Sequence, residues 1–230
     1  MRIEPQKTIL DMALAAAPQV YRIMRQRIIR GDLEPGTRIS ESEIALAYGV
    51  SRQPAREAFI KLADEGLVEV RPQRGTYVRK IVISAVMDAR FVREAIEADI
   101  VKLLAAEPNA TLVSELRAQL KEQRKAAGRD SVRFIELDEL FHRTLAQAAG
   151  KDRAWFVVES NKAQMDRVRY LATQQFPMKA LTDQHEVIVD AINRGDVSEA
   201  EARMRLHLQA ILKDLPEVAR ARPDFFESGD

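Results

Sequence analysis

Four side chains in the second half of the sequence have types and spacings that suit a metal ion. Asp138 and His142 lie one helical turn apart, on the stripe that carries Phe134, Ile135, Phe141 and Leu145. His185 is in line with Leu181, Ile188 and Ile192, and His207 with Ala200, Met204 and Ile211. These are the chain's 3 histidines, and each sits on an apolar stripe that a helical bundle would turn inward. A carboxylate placed there is costly unless something compensates its charge. Register adds a second argument. Gly195 falls between His185 and His207, and at about 1.5 Å per residue both stand about 15–18 Å from that turn, level with each other in an antiparallel pair. One Asp and three His form a donor set suited to Zn2+, Ni2+, Mn2+ or Fe2+. Taken singly, each histidine is better explained as a hydrogen-bonded core residue, and a buried Asp–His pair without an ion is a second account. If the set does bind metal through neutral imidazoles, affinity is expected to fall as the pH drops through about 6.5.

A second constellation lies near the N-terminus. Ser51 precedes Arg52-Gln53-Pro54-Ala55-Arg56. Arg52 and Arg56 share one face at the start of a helix, while Ala55, Ala58, Phe59 and Leu62 fill the other. That division is what a recognition helix needs, and the forked arginine donors match guanine O6 and N7. The turn from Arg71 to Gly75 is a candidate wing: Arg74 lies on it, and Gly75 would let backbone approach phosphates or a minor groove closely. Two solvated arginines on a surface helix would look the same, so the weight rests on the order helix, helix, helix, hairpin.

The elements that must position these groups follow from pattern and punctuation. A helix is expected over 18–30, opened by Pro18; a short one from the capping box Ser40–Glu43 through Tyr48; and a third from Ser51 to about Glu65. Residues 67–70 and 76–79 alternate like strands. After Lys80 the pattern is helical throughout, over about 84–106, 109–127, 130–149, 152–173, 177–194 and 196–215. The expected fold is mainly α: an N-terminal winged helix-turn-helix and a C-terminal six-helix antiparallel bundle. The domains are an extension over 1–17, a DNA-binding domain over 18–80, a helical effector-binding domain over 84–215, and a tail over 216–230, frayed from Pro223.

Composition narrows the class. The chain has 230 residues, 46% hydrophobic and 31% charged, with a net charge of +1, so any basic surface is local; basic residues outnumber acidic ones in the first 80. There is no cysteine, which excludes disulfides and thiolate metal sites and suits a cytoplasmic protein. No apolar run approaches the roughly 18 residues a membrane span needs. No nucleophile, general base or oxyanion motif accompanies the candidate ligands. A metal-dependent enzyme acting on a small organic acid is therefore the second reading, and a non-enzymatic regulator the first.

The runs Gly31–Ile39, Glu43-Ile44-Ala45, Gly49–Ala58, Leu62–Val68 and Arg74–Val78 closely resemble the winged helix-turn-helix of the GntR family. The resemblance implies that Arg52 and Arg56 contact operator DNA and that Gly75 enters the minor groove, with Ser51, Gln53 and Arg74 beside them. Many members carry Thr where this chain has Gln53, and Ser42 replaces an arginine used by some relatives. The second half resembles the FCD effector-binding domain in Arg93-x-x-Ile96-Glu97, Asp138-x-x-Phe141-His142, His185 before Val187-Ile188, Gly195-Asp196, and Ala202 to Leu208, in the six-helix VanR-like variant rather than the seven-helix FadR-like one. It implies that Asp138, His142, His185 and His207 hold one divalent ion per subunit, Zn2+ first with Ni2+ or Mn2+ as alternatives, beside a small carboxylate effector. Arg93 is the candidate for the carboxylate, an i,i+4 salt bridge to Glu97 being an equal account of it; Arg167 and Arg169 are weaker candidates. Together these expectations describe a homodimeric repressor, bound to palindromic double-stranded operator DNA and released by a small organic acid.

Overall fold

Val20, Met24 and Ile28 recur every fourth position and are fully buried along one face of α1 (Ala16–Ile29). The structure, a computed structural model, describes residues 10–227. Helix α1 opens earlier than expected, with Pro18 in its first turn, where no intrahelical amide is required. Of the expected extension over 1–17, residues 1–9 lie outside the described residues. Leu10 is buried, and the Gln19 side chain bonds both the amide and the carbonyl of Asp11 at 2.8 Å, fixing the approach to α1.

A short strand, β1 (Arg38–Ile39), leads into α2 (Glu41–Tyr48), which ends at Gly49 in the left-handed region. Helix α3 (Arg52–Asp64) follows and buries Ala55, Ala58, Phe59 and Leu62, packing on α1 and α2. Ser40 and Ser51 hold the N-cap positions in extended backbone, but neither side chain makes a capping bond, so the expected capping box does not form. Strands β2 (Val68–Arg71) and β3 (Gly75–Val78) pair antiparallel, Val68 opposite Val78 and Arg71 opposite Gly75, and β1 adds to the far side of β3 in the order β1-β3-β2. Strand β1 was not expected from the sequence, because two residues are too few to show alternation. Gly75 has a φ of 110°, so the backbone there favours glycine, and a Cβ would lie 2.9 Å from Arg38 Nε and oblige that side chain to move.

The later residues form α4 (Ile83–Ala106), α5 (Ala110–Ala126), α6 (Ser131–Ala148), α7 (Asp152–Asn161), α8 (Ala163–Thr173), α9 (Lys179–Arg194) and α10 (Val197–Ala221). Helix α5 packs on α6 and α9, and α10 packs on α9 and α8. Phe141, Leu145, Ile188, Ile192 and Met204 share the core of this bundle. The helix expected over 152–173 is interrupted at Lys162, whose Nζ lies 2.7 Å from Glu139 Oε2 on α6 and 2.8 Å from both Asp166 oxygens on α8. With α7 and α8 counted as one broken helix, the bundle has the six expected.

The end of the chain departs from the expected tail. Helix α10 runs on through Pro216 to Ala221, since Leu215 and Val218 bury their side chains. Beyond it, Pro223–Phe225 makes one 3-10 turn, and Phe225 and Phe226 are buried rather than frayed. The Ile81 amide donates to Phe225 O at 2.7 Å and the Glu227 amide to Ile81 O at 3.0 Å. The Phe225 ring packs so close to Gly31 that a Cβ there would meet it at 3.3 Å. One compact unit thus comprises the chain up to Ile83 together with the segment from Arg222; the other is Ser84–Ala221.

Candidate functional site

Asp138 and His142 on α6, His185 on α9 and His207 on α10 converge in the bundle, each offering a ligand atom within 4.8 Å of the others, and all four are buried. His207 Nε2 lies 3.1 Å from His185 Nε2 and 3.3 Å from His142 Nε2. Asp138 Oδ1 is 3.7 Å from His185 Nε2, and Oδ2 is 3.9 Å from His142 Nε2. The left-handed Gly195 turns α9 into α10, which brings His185 and His207 level as the register argument expected. Phe141 stacks on the His185 ring, centroids 4.2 Å apart, and fixes its plane.

Each ring is held from outside by its other nitrogen. His185 Nδ1 lies 2.9 Å from Gln123 Oε1, His207 Nδ1 lies 2.9 Å from Gln184 Oε1, and His142 Nδ1 lies 2.5 Å from Glu97 Oε2. The glutamine oxygens outside His185 and His207 are acceptors, so the Nδ1 positions of these two rings carry the protons and their Nε2 lone pairs point inward. Two inward lone pairs cannot bond each other. Asp138 adds a further inward acceptor: Oδ2 pairs with Arg169, while Oδ1 is buried with no hydrogen-bond partner among the described residues. A divalent cation satisfies such a set of donors, and the residues present fit one.

The electrostatics agree. Burial pushes His185 down to about 3, against the pull of Asp138, and burial with the neighbouring His185 and His142 pushes His207 well below its usual value. Burial alone would raise both acids. At Glu97, Arg93 and then His142 override it and leave the carboxyl at about 2; at Asp138, Arg169 leads the groups that hold it well below the carboxylate range. His185 and His207 are thus neutral and Asp138 ionised at neutral pH. For an ion held by these rings, desolvation would move the expected loss of affinity from about pH 6.5 toward more acid pH, because it already disfavours the protonated rings.

A cavity of about 290 Å³ adjoins this centre. Of the four converging residues His207 stands on its wall, with Arg93, Arg169 and Gln184; Thr173, Lys213 and Asp214 also line it, and the remainder is apolar. Both accounts of Arg93 meet in one residue: it pairs with Glu97 through Nε, and its buried Nη2 has no hydrogen-bond partner among the described residues. Arg169 faces the cavity while pairing with Asp138. Arg167 is not on the cavity wall; it is buried, its pKa lowered by desolvation to about 10, with Nη1 3.4 Å from Gln164 Oε1. Sequence reasoning missed Glu97, Gln123 and Gln184 as partners of the histidines. Gln123 left a signal, since it continues the stripe Leu112, Leu116 and Leu120, where a polar residue needs a reason.

In the other unit Ser51, Arg52, Gln53 and Arg56 are exposed at the start of α3, opposite its buried back. Gln53 Nε2 donates to Glu57 Oε1 at 3.0 Å. Arg74 is exposed at the hairpin tip, its carbonyl accepting from the Tyr77 hydroxyl at 3.1 Å, and Gly75 opens β3 beside it.

The FCD domain model matches residues 88–210, and that of the bacterial regulatory proteins of the gntR family matches residues 16–78. The chain is 40% identical over 222 residues to the HTH-type transcriptional repressor RspR of Escherichia coli K12, covering 96% of this chain and 97% of that one. It is 32% identical to a probable D-xylose utilization operon transcriptional repressor of Paenarthrobacter nicotinovorans, covering 85% and 87%. Among solved structures, a putative GntR transcriptional regulator from Rhodococcus sp. RHA1 superposes with a TM-score of 0.72 at 25% identity, over 87% of this chain and 97% of that one. Escherichia coli McbR/YncC shares the fold, with a TM-score of 0.75 at 16% identity over 90% and 99%.

Proposed function

Since the chain belongs to the GntR family of bacterial regulators, with an FCD domain as its second half, we propose that it is a homodimeric repressor whose grip on a palindromic operator is set by a small carboxylate bound beside one divalent ion per subunit. The coarser part of this is established by kinship: the protein is a DNA-binding transcription regulator, and the family and its characterised relatives are regulators and not enzymes. The metal-dependent enzyme is set aside on that ground.

Asp138, His142, His185 and His207 would hold the ion, Zn2+ first and Ni2+ or Mn2+ as alternatives. When bound it supplies a positive anchor for a carboxylate oxygen. Arg93 Nη2 would take the other side of the carboxylate as a charge-assisted donor. Arg52, Arg56, Ser51 and Gln53 would read the major groove, while Arg74 and Gly75 would meet backbone or minor groove. Two such heads on a two-fold axis match a palindrome, and the protein would work in the cytoplasm, where operator DNA is. No helix among the described residues is long and apolar enough to cross a membrane.

The observation that carries the reading is the convergence of three imidazole nitrogens and one orphaned carboxylate oxygen, all buried. The test combines elemental analysis of untagged protein with sedimentation and an operator titration before and after chelation. One ion per subunit, a dimer and chelator-sensitive effector response are expected. Protein without stoichiometric metal after incubation with Zn2+, or a monomer with and without DNA, would overturn it.

A further inference from the structure

The cavity beside the four converging residues has a direction, and α10 measures it. His207 stands at one end, and Lys213 and Asp214 line the wall further along the same helix; at about 1.5 Å rise per residue they lie about 9–10 Å beyond it. Between them α10 presents Leu208 and Ile211. The neighbouring helices repeat the arrangement. On α6, Phe134 and Ile135 line the cavity about one turn before Asp138; on α9, Leu181 does so one turn before His185; on α8, Ala172 lies one turn past Arg169, with Phe176 beyond the end of that helix. On each helix polar groups meet the centre and carbon begins within one turn. Thr173, a polar side chain in that stretch, already donates its hydroxyl to Tyr170 O at 2.7 Å.

We infer that the effector is a monocarboxylic acid with an apolar body about as long as this cavity, linear or aromatic, and not a sugar acid or hydroxylated di- or tricarboxylate; this rests on the reading that a carboxylate binds beside the ion. Hydroxyl groups on the acid's body would lie against Phe134, Ile135, Leu181 and Ile211 without partners, and an unpaired buried hydroxyl opposes binding. Methylenes or an aromatic ring in the same place leave water for carbon. Each buried methylene then tightens binding by about threefold to fourfold. Lys213 and Asp214 mark the far end of the apolar stretch and so limit the length of the body.

The test is calorimetric titration of the full-length protein, loaded with Zn2+, with acetate, butyrate, hexanoate, octanoate, decanoate and phenylacetate, and with gluconate and citrate. The dissociation constant should fall about threefold per methylene up to about eight carbons and then level off. Gluconate and citrate should bind at least about tenfold more weakly than octanoate. Gluconate or citrate binding tighter than every apolar acid overturns the inference and leaves the carboxylate site standing. If no acid of either kind binds, the carboxylate reading falls with it. Ala172, half-buried on the cavity wall one turn past Arg169, gives a second handle. Ala172→Leu should weaken octanoate about tenfold or more while sparing acetate; equal weakening of both would overturn the assigned direction.

Discussion

The Gln123 side chain fixes the tautomer of His185. Its Nε2 donates to the Leu137 carbonyl at 3.1 Å, which leaves Oε1, 2.9 Å from His185 Nδ1, able only to accept. The proton of His185 therefore faces α5 and its lone pair faces Asp138, His142 and His207. A helix that contributes none of the four converging residues thus sets which nitrogen His185 on α9 would offer to an ion.

Gln123→Met removes that acceptor while keeping volume and helix propensity. Zn2+ affinity should fall about 10–100-fold with helical content unchanged. Competition against a chelator of known affinity reads the change; an unaltered constant would show that Gln123 does not set the tautomer.

His207→Ala takes away the nitrogen nearest both other rings. Stoichiometric metal should disappear from elemental analysis. Thermal stabilisation by added Zn2+, about 2.7 kcal/mol at a hundredfold excess over the dissociation constant in the parent protein, should vanish with it. Retention of that shift would place the ion elsewhere.

Acid should destabilise the metal-stripped protein in two stages. His185 titrates near 6.5 when unfolded and about 3 when folded, so its contribution is complete above pH 6.5 and is lost as the pH falls toward 3. Glu97, at about 2 in the fold, adds loss below about pH 4.5. Each ring so affected contributes a slope of about 1.4 kcal/mol per pH unit. Urea midpoints measured between pH 8 and 4 should fall from about 6.5 downward; a flat profile to pH 5 would mean that the rings are not desolvated.

Arg52→Ala and Arg56→Ala should each weaken specific operator binding by about 1–3 kcal/mol with the fold and metal content intact. Footprinting at fixed salt measures this. Unchanged affinity in both variants would mean that α3 is not the reading element.

Phe225→Ala removes a fully packed ring beside Gly31 and Ile81, and should destabilise the DNA-binding unit by about 3–5 kcal/mol. Hydrogen exchange at the α1 amides should speed up while Zn2+ content stays constant. Unaltered α1 protection would show that the segment adds nothing to that unit.

The sequence made the four converging residues legible because burial and period coincide: a histidine on an apolar stripe is conspicuous, and Gly195 set the register of two of them. Their outer partners were less so. Glu97 lay four residues from Arg93 and was explained by that pairing alone, although in the structure it also meets His142. Gln184 gave no periodic signal, since its role depends on where α10 places His207. The break at Lys162 was easily missed because Ser160 and Asn161 disfavour helix only weakly and no Gly or Pro stands there; the buried amine pairing with Glu139 and Asp166 marks it only after folding. Phe225 and Phe226 looked like a tail because the partners that bury them, Gly31 and Ile81, are far away in sequence.

That distance has a consequence for the order in which the protein is made. The unit that carries α3 and the wing is written in two separated stretches, up to Ile83 and again from Arg222, with the whole bundle Ser84–Ala221 encoded between them. On the ribosome, at about 5–20 residues per second, the first stretch emerges seconds before the second. During that interval the Ile81 backbone lacks the strand that pairs with it and the surface around Gly31 lacks its aromatic cover. A nascent chain therefore exposes an unfinished reading head until the helical bundle has been synthesised, and the last piece of the DNA-binding unit arrives only after the whole of the other unit.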